Sequence, residues 1–268
     1  MKRSVLILAI LCSLLMGNAY AQTEQWDTYM AKFGDKPGSV LVDMGLIARA
    51  PDKRYQYLVI TGPQAMNCDK QGLPNKDEIG ELEEILSAAD NFITGVTAKV
   101  LTGTLTYKCE RLNYYYVKDT IGVRNALMRM YNRSYANYNY AINIMFDPGW
   151  RTYLTFLFPD EPTRDWMENS KVIAQMAEQG DSLKTQRDIN FDFFFNSDSD
   201  RHTFAGVARS KGYKADKLIA SKSTIAPFEI IVSKYGLVKI DLIQAMADEL
   251  KKAAKLHRGI YNGWDAKK

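Results

Sequence analysis

Histidine and cysteine are scarce in this chain: two histidines, His202 and His257, and three cysteines, Cys12, Cys68 and Cys109. So small a set excludes most zinc-type sites and disulfide-dense scaffolds. A dominant charge is missing too. Lys plus Arg is 35 against 31 Asp plus Glu over 268 residues, far from the basic bias of a nucleic-acid binder. The catalytic templates with fixed spacing are absent: no P-loop, no Gly-x-Ser-x-Gly elbow, no His-Glu-x-x-His. Each histidine stands beside an arginine, Arg201 or Arg258, which disfavours the imidazolium that a general base must form. What remains is ordinary for a folded chain, 46% hydrophobic and 25% charged, and this rules out fibrous and wholly disordered readings.

The chain has one long apolar run, Val5 to Met16, preceded by Lys2 and Arg3. As a helix its twelve residues span about 18 Å, short of a hydrocarbon core of roughly 30 Å. Ala19-Tyr20-Ala21 then supplies a small-x-small pattern, so residues 1–21 read as a secretory signal peptide cut between Ala21 and Gln22. Leu11 before Cys12 is wrong for a lipid anchor, and Cys12 stands too early. The expected location is periplasmic or secreted. Loss of Lys2 and Arg3 leaves 33 basic and 31 acidic residues, too even to drive nucleic-acid binding. Two thiols, Cys68 and Cys109, survive cleavage. In an oxidising compartment they pair across a loop of about 42 residues, worth roughly 4 kcal/mol; the alternative is two separate thiols, at least one buried.

Along the mature chain, residues 22–36 read as a short helix or irregular lead-in, Ser39–Ala50 and Tyr55–Thr61 as strands. Ile79, Leu82, Ile85, Leu86, Ala89 and Phe92 recur at helical spacing after a cap at Asn75 or Asp77. Val96–Lys108, with a break at Gly103, and Leu112–Val117 are strands. A helix from Asp119 or Thr120 runs to about Tyr138, then Ala141–Phe146 and Arg151–Phe158 form a hairpin around Asp147-Pro148-Gly149. Pro159-Asp160-Glu161-Pro162 marks the domain boundary. Beyond it come a helix at 163–179, a strand at 189–195, a helix to Arg209 capped by Ser199 or Asp200, strands at 215–221 and 228–235, and a helix at 240–256. Strands and helices alternate this way in both halves, which predicts an α+β protein of two ferredoxin-like sandwiches with mainly antiparallel sheets.

Several groups invite a functional reading. Tyr131, Tyr135 and Tyr138 fall at i, i+4 and i+7 on the predicted helix, near Arg133 and after the Tyr114-Tyr115-Tyr116 strand. Tyrosine suits a binding surface as well as a helix–sheet core, so both readings stand. Asp77, Glu81 and Glu84 share a helix face. Asn196, Asp198 and Asp200 resemble part of a calcium loop, but the glycine and closing glutamate are replaced by Phe204 and Arg209, which favours a helix cap. Tyr261 and Trp264 flank Asn262-Gly263, a turn-forming pair, and read as a clip that packs Trp264 back onto its domain.

Two resemblances rest on these residues. The Phe191-Asp192-Phe193-Phe194-Phe195 strand, Gly212-Tyr213 and the terminal Gly259-Ile260-Tyr261-Asn262-Gly263-Trp264-Asp265 resemble the RraB family, bacterial regulators of ribonuclease E, over about residues 163–268. That family has aspartate where this chain has Asn262. Trp26, Thr102-Gly103-Thr104, Tyr114–Tyr116 and Asp147-Pro148-Gly149-Trp150 are similar to the domain of unknown function 695, over about residues 24–160. The resemblance implies a bacterial source and a ferredoxin-like C-terminal domain, and the domain of unknown function 695 brings no known activity. Ribonuclease E is cytoplasmic, so export separates this chain from that role, and a shared fold does not carry it across. The resulting expectation is an exported, non-enzymatic binding or adaptor protein without a cofactor. Its partner is protein or peptide, with no nucleic acid and no membrane contact after cleavage. The rivals are an enzyme using carboxylates and tyrosines in an interdomain cleft, and a regulator of RNA decay.

Overall fold

The computed structural model describes residues 24–220 and 226–266. The signal-peptide reading of 1–21, its cleavage site and Cys12 lie outside the described residues, as does Ser221. The chain divides between Pro159 and Asp160 into two compact units.

The first unit opens with a hairpin, β1 (Trp26–Phe33) and β2 (Lys36–Asp43), turned at Gly34 with φ +65°. A positive φ at the first loop position suits a two-residue hairpin and costs glycine little. The lead-in is therefore a strand, not a helix. Its alternation buries Tyr29, whose hydroxyl reaches the Leu157 carbonyl at 2.9 Å. The strand expected over 39–50 stops at Asp43, whose carboxylate accepts from Gly45 N–H and caps a 3-10 turn at Met44–Ala48.

Next come β3 (Tyr57–Pro63), α1 (Lys76–Thr94), β4 (Lys99–Tyr107), β5 (Glu110–Val117), α2 (Val123–Ser134) and β6 (Tyr140–Phe146). The sheet is antiparallel throughout, in the order β1-β2-β4-β5-β3-β6. The break expected at Gly103 is a bulge in the β4–β5 register between Leu101 and Gly103.

Both faces of this sheet are covered. Tyr115, Val59 and Val117 meet Leu82, Ile85, Ala89 and Ile93 of α1 and Leu127 and Tyr131 of α2. On the other face Tyr116 stacks on Trp150, ring centroids 4.3 Å apart. Residues 151–158 were expected to pair back as a strand. They form a π-helical turn at Tyr153–Leu157 instead. Trp150, Tyr153 and Leu157 recur every three or four residues and are all fully buried, a helical period that an extended chain cannot bury on one side.

The second unit begins with α3 (Glu161–Glu178), capped by Asp160, with proline in its first turn. Then follow β7 (Arg187–Phe195), α4 (Asp198–Ser210), β8 (Lys214–Ala220), β9 (Phe228–Gly236), α5 (Ile240–Leu256) and β10 (Ile260–Asp265). The order β10-β7-β9-β8 is again fully antiparallel. Strict alternation on β7 sends Ile189, Phe191, Phe193 and Phe195 under α4 and α5, against Phe204, Ile243 and Leu250. Each such side chain contributes about 1.5–3 kcal/mol by leaving water. The protein is thus α+β, with two antiparallel sheets in two units. Among the described residues no helix is long and apolar enough to cross a membrane.

Candidate functional site

The tyrosines of the first unit face inward. Helix α2 ends at Ser134, so Tyr135 and Tyr138 are not on it. Tyr131 is fully buried, stacked on Tyr140 at 4.2 Å, its hydroxyl 3.0 Å from Thr61 Oγ1. Burial pushes the Tyr131 phenol up to about 12. Tyr138 is buried and Tyr135 half-buried in the same core, while Arg133 is exposed. These four residues do not form a surface patch. Large rings are needed to fill the space between helix and sheet, and Thr61 supplies the partner that lets the Tyr131 hydroxyl go with its ring.

The carboxylates are also structural. Asp147 accepts from Tyr116 Oη at 2.6 Å, Arg151 N–H at 2.9 Å and Thr152 N–H at 3.0 Å. Burial alone would raise its pKa, but these hydrogen bonds, Thr152 foremost, hold it below the usual carboxylate value. On α1, Glu78 accepts from Met66 N–H and Asn67 N–H at 2.6 and 2.9 Å, and Glu81 stands against the hydroxyl of buried Tyr138. Ser197 caps α4, Asp198 pairs with Arg201, and Asp200 with Arg258, so the calcium-like fragment is a helix start. His202 Nδ1 lies 2.9 Å from the Asp198 carbonyl. Among the described residues no three His, Cys, Asp or Glu side chains are grouped to hold a metal ion.

Cys68 and Cys109 are joined, with Cα atoms 5.9 Å apart. The bond ties the loop between β3 and α1 to the β4–β5 turn. Backbone hydrogen bonds draw the same two segments together, from Cys109 N–H to the Gly72 carbonyl and from Ala65 N–H to the Cys109 carbonyl.

The C-terminal signature forms β10, an edge strand, and every member has a distinct task. Gly259 permits a close approach: a Cβ there would lie 2.5 Å from the Phe195 ring. Tyr261 packs on Phe193 at 5.2 Å with Lys251 Nζ 5.6 Å from its ring centre, and its hydroxyl is buried without a hydrogen-bond partner among the described residues. Asn262 Nδ2 donates to Asp192 Oδ2 at 2.8 Å, so an aspartate at 262 would set two carboxylates face to face. Gly263, φ +127°, occupies the bulge opposite Asp192. Trp264 Nε1 donates to Asn169 Oδ1 at 2.8 Å, and Asn169 Nδ2 donates to Gln244 Oε1 at 2.8 Å. One indole thus links β10 to α3 and, through Asn169, to α5.

Two open depressions flank Trp264. One of about 400 Å³ is lined by Asp165, Glu168, Lys251, Tyr261 and Asn262. The other, about 350 Å³, is lined by Val172, Met176, Gln179 and Asp181. A larger groove of about 560 Å³ between α4 and α5 is bordered by Lys211 and Glu249, which pair at 3.0 Å, and by the exposed Leu256. The surface around Trp264 gathers aromatic, amide and charged groups on three elements, which makes it the candidate site. Sequence reasoning missed Asn169. Its signal was an asparagine inside a helix, where the residue forms helix poorly unless its amide is used.

Residues 24–158 match the model of a family of unknown function, DUF695, and residues 166–266 match that of the regulator of ribonuclease activity B, RraB. No curated protein matches the chain. The chain belongs to the DUF695 family and carries an RraB domain after it.

Proposed function

We propose that this DUF695–RraB chain is an exported, non-enzymatic adaptor: two ferredoxin-like sandwiches, the second of which docks a partner protein around Trp264. The observation that carries the reading is the Trp264 ledge. An indole is held rigidly by Asn169, between two open depressions lined by apolar, amide and charged side chains. Rigid aromatic groups at the centre of a polar rim are what protein interfaces use as anchors. Tyr116, Tyr131, Asp147 and Glu78, groups that an enzymatic reading would recruit, are occupied in packing and capping.

Export is supported by the signal-like N-terminus and by the Cys68–Cys109 pairing, which suits an oxidising compartment. The mature chain is then periplasmic or secreted. Intact mass of the native protein from separated fractions tests this. A periplasmic species starting at Gln22 supports export; a cytoplasmic species retaining Met1 overturns it. A photo-crosslinker at Glu168, beside Trp264, is expected to give a discrete protein adduct in cells. Absence of any adduct, or an RNA adduct, overturns the adaptor reading.

The RraB name supports a second reading, control of a ribonuclease by protein contact. Purified mature chain added to a ribonuclease E assay separates the two. No change in rate is expected of the exported adaptor, and stoichiometric inhibition would favour the regulator.

A further inference from the structure

The sheet of the second unit carries α4 and α5 on one face, and α3 packs on α5. Because Ile189, Phe191, Phe193 and Phe195 point under those helices, Asp188, Asn190, Asp192 and Phe194 stand on the other face. The register extends that face sideways. Asn190 pairs with Ser233 and Asp265, Asp192 with Ile231, and Phe194 with Glu229 and Ile260. The result is an apolar band of Phe194, Ile231 and the exposed Ile260, studded with the carboxylates Asp192, Glu229 and Asp265 on three adjacent strands. Among the described residues no helix of this unit covers it.

On this face Lys214 meets Asp188 at 3.2 Å, and the register sets Lys217 of β8 across from Ile231. Asp192 Oδ2 and Asp265 Oδ1 are met only by the neutral amides of Asn262 and Asn190. Asp192 Oδ1 and Asn190 Oδ1 are buried and have no donor among the described residues, so the carboxylate edge that Asp192 presents is Oδ2. Burial and the charge of Asp192 both raise the Glu229 carboxyl above its ordinary value.

We propose that this open face docks a Lys/Arg-rich segment of the partner protein. This names the partner chemistry of the adaptor reading and rests on it. Strands about 4.8 Å apart place the three carboxylates within reach of successive basic side chains. Basic head groups meet the exposed Asp265 and the half-buried Asp192 and Glu229, and methylene stems lie along Phe194 and Ile231. Phosphates are repelled by the same carboxylates, so nucleic acid is the wrong occupant.

The test is fluorescence anisotropy of the mature full chain with a labelled peptide of alternating Lys and Arg, a Glu-rich counterpart and a single-stranded RNA. Only the basic peptide should bind, less tightly as salt rises. The D192N/E229Q double variant should weaken it at least about tenfold with no fall in Tm, since it removes like-charge repulsion rather than a pair. No binding of the basic peptide, equal binding by the variant, or tighter binding of RNA overturns the proposal. The crosslink at Glu168 keeps the two readings apart. If that adduct persists while the peptide fails, this inference falls and the adaptor stands; if the adduct is absent, the adaptor reading itself falls.

Discussion

Replacing Asp147 should unfasten the buried face of the first sheet. Asp147→Ala leaves Tyr116 Oη, Arg151 N–H and Thr152 N–H without their acceptor. The Tyr116 hydroxyl is the costliest, because its ring is fully buried against Trp150 and cannot turn to water. An orphaned buried donor costs about 1–3 kcal/mol, and the lost turn-capping bonds add about 1 kcal/mol. A loss of about 3 kcal/mol follows, and in a unit of this size that lowers Tm by about 10 °C. Scanning calorimetry of the mature chain reads it. Asp147→Asn keeps one acceptor and should lose less.

The pH dependence separates this account from simple loss of packing. The Asp147 pKa is depressed in the folded chain, so its contribution is fully present above the unfolded value of about 3.9 and is lost as pH falls through the folded value. The gap between native protein and Asp147→Asn should therefore be widest near neutral pH and close in acid. A variant as stable as the native chain at pH 7, or a gap unchanged down to pH 3, would refute the reasoning.

Three further outcomes are expected. Gly259→Ala forces a methyl group into the Phe195 ring and Ala254, and should cost about 1–3 kcal/mol by overpacking, read as a lower urea midpoint at constant slope. Asp181→Ala removes the carboxylate paired with the buried Arg187 and should cost about 3–5 kcal/mol, because the guanidinium stays in place uncompensated; a loss under about 1 kcal/mol would show that water reaches Arg187. Replacing Cys68 and Cys109 together by alanine should lower stability by roughly 4 kcal/mol in non-reducing buffer and make the melt indifferent to reductant.

Elements whose burial follows a single regular period were legible. Helix α5 starts and stops where its apolar spacing does, at Ile240 and Leu256, and β7 alternates without exception. The turn at Tyr153–Leu157 was misread because short apolar runs carry helix and strand periods equally well. Trp26–Phe33 was misread because its alternation is half polar and its partner strand supplies the pairing. Helix α2 looked longer than it is, since Tyr135 and Tyr138 continue its spacing after the backbone has turned toward β6.

The candidate site divides the same way. The signature residues 259–264 stood out in the chain, and a packing role for Trp264 was readable from the turn beside it. That its partner is Asn169, 95 residues earlier, was not. Composition, spacing and caps by themselves determined the α+β class, because local propensity and the solvent-facing period are properties of consecutive residues. Only the tertiary structure decided which face each aromatic turns to, which carboxylates are caps and which stand open beside Phe194. Those outcomes depend on neighbours brought from distant strands, whose register no local pattern contains.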